Sequence, residues 1–347
     1  MRKEHDFLGT MNVPDDVYYG VQTMRAVKNF HITGERLDPD FIKALATVKK
    51  AAALANMETG RLNAIVGKAL TRAADEIIDG QWLDQFPVDP IQGGAGTSIN
   101  MNMNEVLCNR ALEILGKPKG RYDIISPNNH ANMAQSTNDV FPTGIKVCLA
   151  AKGKALASTL RTLEFWLDEK ADEFRNVLKM GRTHLQDAVP ITLGQEMAAY
   201  ASAVRRARRR IETSLDDVHV VNMGGTAVGT GLNAEPEYSK LAAAKLSELT
   251  GEMFVTARNM VDATNNTDVF ADVSGSMKSA ALVLIKMAND IRLMASGPRC
   301  GLHELNVPPR QPGSSIMPGK VNPGYRRSAG SDLLSGYWQR YGDYARR

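Results

Sequence analysis

The chain has 347 residues, 43% hydrophobic and 23% charged, which is ordinary for a globular protein and enough for about two domains with sizeable cores. A net charge of +4 gives no argument for a nucleic-acid partner. Three widely spaced cysteines (Cys108, Cys148, Cys300) argue against a disulfide framework or zinc site and for a reducing, cytoplasmic setting; no signal peptide or membrane span is expected either.

The first forty residues read as loop, broken by Val-Pro and Asp-Pro pairs. Helical patterns follow over 40–59 and 61–80, with Gly60 between them as the expected C-cap. A third covers 97–115. Pro127-Asn128-Asn129 marks another loop. Beyond Asp139, Leu156, Leu160, Leu163, Leu167, Ala171, Phe174 and Leu178 recur at spacings of three and four and form one apolar stripe. Residues 181–190 interrupt it. Further helices are predicted over 193–221 and 268–295, separated by a Gly/Thr-rich loop at 224–231. A basic run, Arg205, Arg206, Arg208, Arg209 and Arg210, lies inside a helical pattern and reads as a solvated face or subunit contact. Strand signals are few and aromatics are 6%. The reading is all-α, with a small N-terminal helical domain and a central bundle of long helices.

Four polar clusters fall at predicted helix ends or loops. The first, Gln92 to Asn102, leads through Gly93, Gly94 and Gly96 into a helix N-terminus, where free N–H groups and the dipole favour an anion; alone it reads as an N-cap through Thr97 or Ser98. The second, His130 to Asp139, ends in Ser136-Thr137-Asn138-Asp139, which reads equally well as a helix cap. The third, Lys179 to Asp187, offers His184 for acid–base work or as a hydrogen-bond donor, although a lone His between helices is more often structural. The fourth, residues 313–323, joins Ser314, Ser315, Lys320 and Asn322 in a Gly/Pro-punctuated loop with too much chemistry for a linker. The loop at 224–231 is a further candidate lining. Hydroxyls, amides, one His and one Lys suit a small dianion and proton abstraction next to a carboxylate.

These motifs resemble the aspartase/fumarase superfamily. Residues 313–323 match its mobile catalytic loop, and Asp6-Phe7-Leu8-Gly9, Tyr18 to Thr23, Asp84-Gln85-Phe86, 93–104, 135–139 and 181–190 match as well. Gly94-Ala95-Gly96-Thr97-Ser98, Ser136-Thr137-Asn138-Asp139 and Ala188-Val189-Pro190 follow the aspartase branch rather than the fumarase one. The resemblance implies reversible deamination of L-aspartate to fumarate and ammonia, with no cofactor and no metal. It implies Ser314 as the base that removes the Cβ proton. Lys320 and Asn322 would bind the α-carboxylate and stabilise the enediolate-like intermediate. Thr97, Ser136 and Thr137 would hold the β-carboxylate. Asn138, Thr183, His184 and Ser315 would complete the contacts, with His184 also a catalytic candidate. It further implies a homotetramer whose subunits share each site. Fumarate hydratase, or a non-catalytic fragment or structural protein, are the alternatives.

The resemblance stops after Pro323. Residues 324–347 carry four tyrosines, a tryptophan and five arginines without helical periodicity. Back-translated with permitted codons and read one base later, they are compatible with the family-like Val-Ile-Ala-Glu-Val. The expectation is therefore an N-terminal lyase domain (1–138), a truncated bundle with its loop (139–323), an aberrant frame-shifted tail (324–347), and an absent C-terminal domain. A chain lacking a bundle helix is expected to be inactive.

Overall fold

The computed structural model describes residues 1–309, 312–317 and 319–322. The tail at 324–347, and with it the frame-shift and missing-domain expectations, lies outside the described residues. The described chain is mostly helical and falls into two compact units: residues 1–152 with 216–268, and 153–215 with the residues from 269 onward.

The first unit begins with a hairpin rather than a loop. Strands β1 (Arg2–Asp6) and β2 (Gly9–Val13) pair antiparallel, Arg2 opposite Val13 and Asp6 opposite Gly9. Asp6 accepts the Leu8 N–H at the tip, and Arg25 clamps it with two bonds of 2.9 Å. Arg25 belongs to α1 (Val21–Asn29), a short helix the sequence reading missed.

Helix α2 (Pro39–Glu58) starts as its sequence predicts. Asp38 accepts the Asp40 N–H at 2.8 Å, and Pro39, with no N–H to lose, sits in the first turn. Gly60, past its end, has the positive φ of +75° expected of a C-terminal glycine. Eleven of the twenty α2 residues are buried; six of them are alanines, which lets α3 (Ala64–Ile78) approach closely. Helix α4 (Thr97–Ile114) goes further, with thirteen of eighteen residues buried, Asn100, Asn102, Asn104, Glu105 and Asn109 among them. Buried polar groups need partners. Glu105 takes four: the N–H groups of Gly20, Gln22 and Thr23 and the Thr23 hydroxyl, at 2.6–3.1 Å. This carboxylate ties the Tyr18-to-Thr23 motif to α4. Burial nevertheless pushes Glu105 up to about 7, against those four hydrogen bonds.

Pro127–Ala131 forms one π-helical turn where a loop was expected. Helix α5 (Thr137–Glu173) follows, and its first sixteen residues belong to this unit.

In the second unit, α5 continues. Leu160 and Leu167 of the predicted stripe are buried, whereas Leu178 is 72% exposed because it begins a strand. Residues 181–190, read as an interruption, belong to a hairpin of β3 (Leu178–Thr183) and β4 (Gln186–Thr192), with a register shift between Met180 and Arg182. Helix α6 (Leu193–Asp216) then carries the basic run. Arg205 and Arg208 both bind Glu164, and Arg208 also binds Glu212, so part of the run is an ion-pair network.

The chain returns to the first unit with β5 (Val220–Val221), α7 (Tyr238–Thr250), β6 (Val255–Thr256) and α8 (Met260–Asn265); β5 and β6 pair in parallel. Helix α9 (Asp268–Met294) closes the described helices, and only Val273, Ala280 and Met294 of its 27 residues are buried. The all-α expectation is thus narrowed by three two-stranded sheets. β1 alternates in burial but is polar at every position, and β4 is exposed along its first five residues, so hydrophobic periodicity gave no warning.

Candidate active site

Thr97 opens α4. The preceding Gly96 has φ +92°, and a Cβ there would come within 2.5 Å of the Phe141 ring, so only glycine fits. The expected cap through Thr97 or Ser98 is absent. Instead Gln92 Oε1 accepts the N–H groups of Ser98 at 2.7 Å and Ile99 at 3.3 Å. The Thr97 side chain is exposed and spends no hydrogen bond on the described residues.

Ser136, Thr137 and Asn138 form the entry to α5. Asn100, one turn into α4, donates from Nδ2 to Thr137 Oγ1 at 3.1 Å, which brings the two helix N-termini together. Both dipoles favour an anion there. Asn138 donates to Ala227 O at 2.8 Å, and Asn222 donates to Asn138 O at 3.0 Å, so the Gly/Thr-rich loop lies against this turn.

Asp139 organises the region. One carboxylate oxygen accepts the Ser136 N–H at 2.9 Å; the other accepts those of Gly224 at 3.1 Å and Thr226 at 2.9 Å. Burial pushes its carboxyl up to about 7, opposed by those three N–H groups and by Lys49. The sequence showed Asp139 only as a cap residue. Lys49 was missed altogether: it follows Val48 in an alanine-rich helix, is 2% exposed, and its Nζ reaches Asn132 Oδ1 at 3.0 Å and Gln135 Oε1 at 2.9 Å. Its falling on the buried stripe of α2 was the available signal.

The second unit carries the remaining candidates. Thr183 pairs with Gln186 across the tip of the β3–β4 hairpin, and His184 and Leu185 form the tip with φ of +52° and +65°. Two consecutive left-handed residues make the tight primed turn usually given to Asn-Gly. His184 and Leu185 hold it at a cost of roughly 1–2 kcal/mol each, with both side chains exposed. The base of the hairpin is firm: Arg182 forks Glu304 at 2.7 and 3.0 Å, and Lys179 bridges Glu196 and Glu304 at 2.7 and 3.0 Å.

Ser314, Ser315, Lys320 and Asn322 stand on one loop whose feet are joined. Pro312 bridges Val321, the Gly313 N–H donates to Lys320 O at 2.7 Å, and Asn322 Nδ2 donates to Gly313 O at 2.8 Å. Ser314 is half-buried, and its Oγ accepts the Ile316 N–H at 3.3 Å. A donor on that oxygen favours negative charge building there. Ser315, Lys320 and Asn322 are exposed; Pro318 and Pro323 lie outside the described residues. The described structure therefore joins Thr97, Ser136, Thr137 and Asn138 in one cluster of the first unit. It sets Thr183 with His184, and Ser314 with Ser315, Lys320 and Asn322, on two features of the second.

Among known proteins, a family described as lyase matches residues 9–325. An aspartate ammonia-lyase of Bacillus sp is 56% identical over 323 residues, covering 93% of this chain and 69% of the relative. The aspartate ammonia-lyase of Bacillus subtilis is 57% identical, with 93% and 68% covered, and that of Escherichia coli K12 is 47% identical, also with 93% and 68% covered. Two solved structures are similar at a TM-score of 0.92, each covering 96% of this chain and 73% of the other. One is a fumarate lyase:delta crystallin of Brucella melitensis bound to cobalt, 47% identical; the other is a class II fumarase of Schistosoma mansoni, 37% identical.

Proposed function

The chain belongs to the lyase family, with the similar aspartate ammonia-lyases above it, and from that membership we propose how its residues carry out the reversible deamination of L-aspartate to fumarate and ammonia. Ser314 Oγ, in its deprotonated form, takes the proton from Cβ and becomes the neutral hydroxyl. The freed electron pair moves onto the carboxylate bonded to that carbon, the β-carboxylate. Chemistry therefore shifts the stabilisation of the intermediate from Lys320 and Asn322 to the groups on that carboxylate: Thr97, Ser136 and Thr137. Donors already in place where charge develops contribute most. Collapse of the intermediate forms the C=C bond, breaks the Cα–N bond and releases the amine, with Asn138, Thr183, His184 and Ser315 around it. Lys320 and Asn322 keep the α-carboxylate. His184 is the second choice as base.

The observation that carries this reading is the pair of helix N-termini tied by Asn100 at Thr137, a ready anion site beside an uncommitted Thr97. The reading also includes a cytoplasmic homotetramer with shared sites. Helix α9 supports assembly, since Leu282 is 52% exposed on a helix with three buried residues, and an amphipathic helix draws its stability from packing. Among the described residues no helix is long and apolar enough to cross a membrane.

The test is fumarate absorbance with L-aspartate and with malate as alternative substrates, together with light scattering of the same protein. Aspartate deamination by a tetramer is the outcome of this reading, which rests on the match over residues 9–325; a protein that makes no fumarate would instead meet the inactivity expected from the sequence. Faster malate dehydration overturns the substrate, and an active monomer overturns the shared site.

A further inference from the structure

Lys49 lies on α2, far in sequence from the substrate-holding turn, and no assigned role uses it. Its ammonium has three hydrogens and no lone pair, so it can only donate. The two side chains it meets, Asn132 and Gln135, must therefore both turn their amide oxygens toward it. Their nitrogens agree with that orientation. Gln135 Nε2 faces the carbonyls of Ala131 and Met133 at 3.1 Å each, and Asn132 Nδ2 faces Gln135 O at 3.1 Å. Carbonyl oxygens accept and never donate, so the amides are fixed from both sides.

The consequence runs outward. Asn132 Oδ1, committed as an acceptor, takes a hydrogen from Asn100 Nδ2 at 3.2 Å. With its nitrogen placed there, Asn100 gives its other hydrogen to Thr137 Oγ1 at 3.1 Å. The Thr137 oxygen is thus an acceptor on its inner side. Among the described residues its own proton has no acceptor, so that proton is left to donate outward. Donation is what a bound carboxylate requires; a hydroxyl turned the other way would present a lone pair and repel it.

We infer that Lys49 is a positioning residue that sets the hydrogen-bond polarity of Thr137 through Asn132 and Asn100. The inference rests on the proposed role of Thr137 as a holder of the β-carboxylate. Burial pushes the Lys49 ammonium down to about 7, opposed by Asp139 and Cys108, so the donor-only state is fullest below that value and the variants are compared there.

The experiment is a double-mutant cycle on the purified protein with L-aspartate, reading kcat/KM and the melting temperature. Lys49→Met and Thr137→Val are each expected to lower kcat/KM about tenfold or more, with the double variant no lower than the worse single one. Lys49→Arg, which still only donates, is expected to retain more activity than Lys49→Met. Asn100→Asp puts an acceptor where the relay needs a donor, and it should match Thr137→Val while keeping the helix; it carries the test if Lys49→Met does not fold. If Thr137→Val lowers kcat/KM but Lys49→Met and Asn100→Asp are silent, or their effects multiply independently with it, the relay is wrong and the site reading stands. If Thr137→Val itself is silent, the site reading is wrong and the relay falls with it.

Discussion

Thr137 and Ser314 illustrate two ways of placing a hydroxyl. Thr137 is reached by Asn100, which is fixed by Asn132, which is fixed by Lys49, and each link lies inside a packed unit. Ser314 stands on an exposed loop, and among the described residues its one hydrogen bond is a 3.3 Å contact from the Ile316 N–H. The first arrangement holds its geometry before any ligand arrives. The second is held at its feet, Gly313, Lys320 and Asn322, and open between them. A group that only receives a carboxylate gains from being immobile. A group that must take a proton and then let product leave gains from a loop of low local stability.

The sharpest way to break this comparison is to remove the proposed base. Ser314→Ala should lower kcat for aspartate by at least about a hundredfold and leave the melting temperature unchanged, because the loop hydroxyl supports no core. Near-normal turnover would move the base role to His184.

Next in size is Asp139→Ala, which abandons three N–H donors and leaves Lys49 uncompensated. A loss of about 3–5 kcal/mol is expected from denaturant midpoints, together with weaker aspartate binding. A variant with unchanged stability would show that the Gly224–Thr226 segment is not held by this carboxylate.

A pH series probes the same unit through Glu105. Its folded value is raised by burial from 4.5 to about 7. Between those values the folded chain keeps a proton that the unfolded chain has released, so the contribution is full below about pH 4.5 and is lost as pH rises toward 7. Stability should fall across that window by an amount on the order of a few kcal/mol, and Glu105→Gln, although less stable throughout, should show a shallower slope, the remainder coming from Asp139, which burial also raises to about 7. Equal slopes in both proteins would assign the effect to other groups.

The smallest expected effect is at the hairpin tip. Leu185→Gly relieves a φ of +65° and should stabilise the protein by about 1 kcal/mol. A destabilised Leu185→Gly would mean that the exposed leucine is covered by another chain, which would join the tip to the assembly.

The long helices were legible because their apolar residues repeat at three and four; α2, α4 and α9 begin or end within two residues of the expected positions. Helix α7 was missed because it is only thirteen residues long, and the hairpins because they are held by backbone pairing rather than by a buried face. The site was legible where hydroxyls and glycines cluster along the chain, at Thr97, Thr137 and Ser314. It was illegible where the partners are far apart in sequence. The buried stripe of α2 marks Lys49 as inward-facing, but nothing local to Val48-Lys49-Lys50 says that its partner is Gln135, eighty-six residues away, or that Lys50 reaches Asp75 on the neighbouring helix.

The β3–β4 hairpin has a consequence for solubility. A two-stranded sheet with exposed flanks offers its unpaired backbone to any other extended chain, which is how proteins coalesce edge to edge. Here Pro190 removes one backbone donor from β4, the irregularity between Met180 and Arg182 twists β3 away from a flat template, and Arg182 and Lys179 hold charge along it. These features act as gatekeepers during synthesis, when the hairpin is made before the helices that follow it. Pro190→Val would leave the chemistry in place and remove one of those guards, and the first sign would be protein in the pellet rather than a lost rate.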